Sequence, residues 1–132
     1  MMRIAVIFIF LFTSCSNKSL VEKIAAADKI VVIDNATKFT HIESRQEVVK
    51  GFKDLLETEP IPTECQPQGI ILFKKGDQTL LETGYYKDAS ACNFLIIAHA
   101  DKKMGYRLSF NALAYLGVYF QDLKKAQYGK DY

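Results

Sequence analysis

Two histidines, three cysteines and a few close carboxylates are the side chains through which this chain could do chemistry. His41 and His99 share no metal-binding spacing with each other or with a cysteine, so a metal site or an acid–base pair arises only if the fold gathers them. Neither Cys65 nor Cys92 stands in a Cys-x-x-Cys motif or at an evident helix start, the settings that lower a thiol's pKa and make it a nucleophile. Glu57 and Glu59 flank a helix end, where solvated charge is the plain explanation. Gly69, Gly76, Gly84 and Gly105 are scattered over strand starts and turns, not gathered in a phosphate-cradling loop. Tyr85-Tyr86 is the stronger hint of recognition. Adjacent residues of a strand face opposite ways, so one ring packs in the core and the other is left as a candidate binding surface, with plain sheet packing of both as the simpler reading. The reading is of a non-enzyme with no metal and no cofactor. The alternative is a hydrolase or thiol enzyme pairing His99 or His41 with a cysteine or carboxylate.

The elements that must position these residues follow from hydrophobic periodicity. Lys29 to Ile33 is a β-branched strand, and Asp34-Asn35 turns it into a partner over Thr37 to Ile42. Ser44-Arg45-Gln46-Glu47 has the form of a capping box, and Val48, Val49, Phe52, Leu55 and Leu56 recur behind it at helical spacing. Glu59-Pro60-Ile61-Pro62 stops that helix. Four short strands then follow with short polar connections: Gly69 to Phe73, Gln78 to Tyr86, Ala91 to Ala98 and Gly105 to Leu108. This predicts an antiparallel meander. Phe94 and Ile96 face one way and Leu95 and Ile97 the other, so the third strand is either covered on both sides or presents an apolar face to a partner. Ser109-Phe110-Asn111 opens a final helix, with Leu113, Leu116, Phe120 and Leu123 on one face, Tyr115 and Tyr119 extending it, and Lys124-Lys125 at its end. The expected fold class is α+β: hairpin, helix, four-strand meander and C-terminal helix, with a mainly antiparallel sheet.

The N-terminus carries an address. Arg3 precedes an unbroken apolar run from Ile4 to Phe12, which ends in Thr13-Ser14-Cys15. Spanning a bilayer takes roughly 20 apolar residues, about twice the length of this run. Phe12-Thr13-Ser14-Cys15 behind such a run resembles the cleavage box of bacterial lipoproteins, with Phe12 where leucine is usual. The resemblance covers the signal and the cysteine alone. It implies cleavage before Cys15, lipid on its thiol, and a membrane reached through that lipid; ordinary cleavage after Cys15 is the second reading. Residues 1–14 are then the signal peptide, 15–28 the lipidated cysteine and a polar tether beginning Ser16-Asn17-Lys18-Ser19, and 29–132 a single domain. Ser16 after the cysteine resembles lipoproteins sent to an outer membrane, which implies a periplasm-facing position in the cell envelope.

If Cys15 carries lipid, Cys65 and Cys92 remain as an even pair in a compartment that permits disulfides. In a meander the heads of the first and third strands lie at one end of the sheet, which puts a Cys65–Cys92 bridge within reach. The chain has 132 residues and a formal charge of +2. Its paired lysines are short, separated and flanked by acids, so no nucleic-acid partner is expected. The expectation that remains is a small lipid-anchored module that binds a protein partner in the envelope as an inhibitor, immunity-type protector or accessory subunit.

Overall fold

Alternating apolar residues build one antiparallel sheet, and the helical periods supply a layer on one of its faces. The computed structural model describes residues 16–88, 92–99 and 101–128. Helix α1 is Ser16–Ile24, and strands β1, Lys29–Asp34, and β2, Thr40–Glu43, form a hairpin. Helix α2, Gln46–Leu55, leads to the two-residue strand β3, Ile61–Pro62. The meander is β4, Gly69–Lys75; β5, Gln78–Lys87; β6, Asn93–His99; and β7, Lys102–Arg107. Helix α3, Phe110–Ala114, continues through one π-helical turn, Tyr115–Tyr119, into α4, Phe120–Tyr128. The order across the sheet is β2-β1-β4-β5-β6-β7-β3, an α+β fold. The described segment of β1 is paired along its whole length, from Lys29 opposite Lys74 to Asp34 opposite Gly69.

Register sorts the side chains. Ile30, Val32, Ile71, Phe73, Tyr85, Leu95, Ile97 and Tyr106 share the face on which the described helices pack. Val49, Phe52 and Leu55 of α2, with Ala112, Leu116 and Phe120 of the C-terminal helix, complete this core. In an ideal α-helix, positions four apart drift by about 40° per step. Ala112, Leu116, Phe120 and Lys124 are nevertheless all buried. The wider π turn between them restores the phase, which keeps one line of side chains against the sheet.

The opposite face of β6 is covered without a helix. From β3, paired to the outer edge of β7, residues 63–68 run back to the head of β4. Thr63 N–H donates to Lys103 O at 3.1 Å, Gln68 N–H to Tyr85 O at 2.8 Å and Asn35 N–H to Gln68 O at 3.0 Å. Pro67 occupies the space that a side chain on Gly84 would need: a Cβ there would lie 2.9 Å from the proline ring. Phe94 lies over Gly105 in the same way, at 2.7 Å from a Cβ on that residue. Phe94 and Ile96 are thereby buried on this face, as Leu95 and Ile97 are on the other. The two-sided covering of β6 is thus achieved by a strap.

Several local expectations are corrected. The tether assigned to 15–28 is folded over most of its length: α1 begins at Ser16, and Leu20, Ile24 and Ala27 lie in the core. Burying Ile24 is worth roughly 2 kcal/mol, which keeps α1 docked. The capping box does not form: the helix begins one residue later than the box requires, with Arg45 as an N-cap that has no side-chain cap, and Arg45 N–H donates instead to Glu43 at 3.0 Å. In the first hairpin the positive φ falls on Lys38, not on Asp34 or Asn35. Asp34 acts through its carboxylate, which accepts from Thr37 N–H and Oγ1 at 2.9 and 2.8 Å. Lys124, expected at the end of the last helix, is buried with its Nζ 3.7 Å from Asp34 Oδ1. Ile61-Pro62, read as a stop, forms the edge strand β3. The signal over 1–14 and Cys15 lie outside the described residues.

Candidate functional site

The structure separates most of the residues that sequence marked for chemistry. Cys65 and Cys92 are joined in a disulfide with their Cα atoms 6.1 Å apart, which fastens the strap to the head of β6 and leaves neither as a thiol. His41 on β2 and His99 at the end of β6 are parted by β1, β4 and β5, about 19 Å at the usual strand spacing. Glu57 and Glu59 are exposed beyond α2. Among the described residues, no three His, Cys, Asp or Glu side chains gather as a metal site would need. Tyr85, offered as a binding residue, is in the core at 1% exposure, because its register with Gly69 and Leu95 turns it toward the helices. Tyr86, opposite Phe94 on the strap side, is half-buried.

One cluster was not foreseen. His41 and Glu43 alternate onto the helix-facing side of edge strand β2, which brings a carboxylate to the π turn. Glu43 is buried, and Arg45 grips it as a fork, Nε donating to Oε2 and Nη2 to Oε1, both at 2.9 Å. Tyr115 Oη donates to Oε1 at 3.3 Å, and His41 Nε2 lies 3.5 Å from the same oxygen. The Arg45 guanidinium also covers the Tyr119 ring at 4.6 Å, and the rings of Tyr115 and Tyr119 lie 5.3 Å apart. The Arg45 hydrogen bonds outweigh the cost of burial and hold the Glu43 carboxyl down at about 2. Burial, with the Glu43 charge, pushes the Tyr115 phenol well above its ordinary value. A carboxylate so saturated with donors is a poor proton acceptor. The cluster clips the sheet edge to the C-terminal helix.

Beside this clip, α2 and α3 diverge over a groove of about 510 Å³ floored by Phe52, Leu55, Ala112 and Tyr115, with Glu47 and Asp54 among its walls. Gly51 lines it from inside α2, where a Cβ would meet nothing within 4 Å. Mid-helix glycine costs about 1 kcal/mol relative to alanine, and here neither backbone nor packing requires it. Phe110, between the groove residues Ser109 and Asn111, is 85% exposed. Ala114 and Val118 follow at four-residue spacing and are also exposed, so the helix that buries one stripe shows a second, apolar one to solvent. Its sequence signal was the surplus of apolar residues between Phe110 and Phe120 over what one helix face can hide.

The chain matches no family model, no curated protein and no solved structure.

Proposed function

We propose that this chain is a small lipid-anchored binding module of the bacterial cell envelope, held at a membrane through Cys15 and facing the periplasm. It acts by contact with an envelope protein, not by catalysis. The observation that carries the binding reading is the exposed stripe headed by Phe110, the most exposed large apolar side chain among the described residues at 85%, with Val118 beside it and an apolar groove alongside. The anchor rests on Arg3, the apolar run to Phe12 and the Thr13-Ser14-Cys15 ending. The Cys65–Cys92 disulfide suits an oxidising compartment. No described helix is long and apolar enough to cross a membrane.

The enzyme alternative gathers less support. Its thiol version needs a free cysteine where the disulfide stands, and its hydrolase version would rest on His41 beside a carboxylate that Arg45 already occupies. A photo-crosslinking amino acid placed at Phe110 or Val118 in membranes of the native host tests the binding reading. The expected result is a discrete adduct with an envelope protein from both positions and none from the exposed Asp77 on the β4–β5 turn. Equal labelling from all three positions, or no adduct from any, would overturn it.

A further inference from the structure

We infer that the anchored domain sits directly on the bilayer and has no free tether on which to swing. The inference rests on the lipid reading of Cys15 above; what it adds is the absence of a spacer. Helix α1 starts at Ser16, and its register is fixed from within the domain, since Leu20, Ile24 and Ala27 are buried in the core. Cys15 and Leu20 are five peptide steps apart. That is about 8 Å along a helix, and about 18 Å even if every residue between them were fully extended. The glyceryl group of a lipidated cysteine lies at headgroup level, so the core of the domain begins within that distance of the membrane surface.

A chain of this size has a radius of gyration of about 14 Å and is about 35 Å across. With α1 helical from Ser16, the stem is about 8 Å long, much shorter than the domain is wide, and the domain rests against the headgroups. Contact fixes the side on which α1 lies toward the lipid and restricts the tilt of everything attached to it. The surface carrying Phe110 and Val118 therefore stays within one domain width of the bilayer. The fitting partner is a membrane-embedded or membrane-bound protein, not one deep in the aqueous compartment.

The test uses the full-length chain matured in a lipoprotein-processing host and placed on a supported bilayer of phosphatidylethanolamine and phosphatidylglycerol. Neutron reflectometry then reads the water layer between headgroups and protein. The native chain should show none. A variant with about 12 glycine and serine residues inserted between Cys15 and Ser16 should show a gap of about 20 Å, the mean span of such a linker. Intact mass of the same samples reports the lipid. A lipidated native chain with a gap like that of the variant overturns this inference alone, whereas a chain without lipid overturns both it and the anchor reading.

Discussion

Replacing both Cys65 and Cys92 by alanine tests the strap. The bond closes a loop over a sequence separation of 27, for which the chain-entropy relation gives about 3.5 kcal/mol of stabilisation. At about 4 °C per kcal/mol for a domain of this length, the variant should melt about 15 °C below the native chain by circular dichroism. Reduction of the native chain should give the same shift. The location of the effect is equally specific. The strap holds the sheet through the amides of Thr63 and Gln68 and through Pro67 over Gly84, so these two amides should lose hydrogen-exchange protection before those of α2. A melting shift under about 4 °C, or protection lost evenly over the whole domain, would refute the assignment of the bond to fastening this segment.

Gly84→Val places carbon where Pro67 now lies, 2.9 Å from the new Cβ; a loss of about 1–3 kcal/mol is expected by urea denaturation. Gly51→Ala should do the opposite and stabilise the fold by about 1 kcal/mol in the same assay, since the added methyl meets nothing within 4 Å. Because the folded carboxyl of Glu43 is lowered from 4.5 to about 2, its contribution to stability is complete above pH 4.5 and is lost as pH falls toward 2. Arg45→Ala should flatten the acid limb of the stability curve across that window, and an unchanged slope would contradict the assignment.

The sequence carried the fold to the extent that local pattern determines it. The β-branched run of β1, the helical spacing of Val49, Phe52 and Leu55, the meander and the double-faced β6 were all legible, because each is written in consecutive residues. The reach of Cys65 to Cys92 followed from strand direction alone. Less visible were features decided at long range. Ile61-Pro62 looks like a helix stop and becomes a strand only because β7 offers an edge. Ser16-Asn17-Lys18-Ser19 gives residues 16–28 the look of a polar tether, although Leu20, Ile24 and Ala27 stand one helical turn apart. Glu43 carries no local signal of its role on an edge strand. Its meaning depends on Tyr115, 72 residues away, and on a π turn that no local signal announced. Tyr85 and Tyr86 were rightly expected to face opposite ways, but the ring that faced inward could serve no partner.

Mass spectrometry of the N-terminal peptide from the protein matured in its host decides between a lipid-anchored chain and a free one. The mature chain should begin at Cys15, bear a diacylglyceryl group, be labelled by a fatty-acid probe and lose the label in Cys15→Ala. A chain that begins at Ser16, or one that still carries Met1 and takes up no lipid, would contradict the lipid anchor.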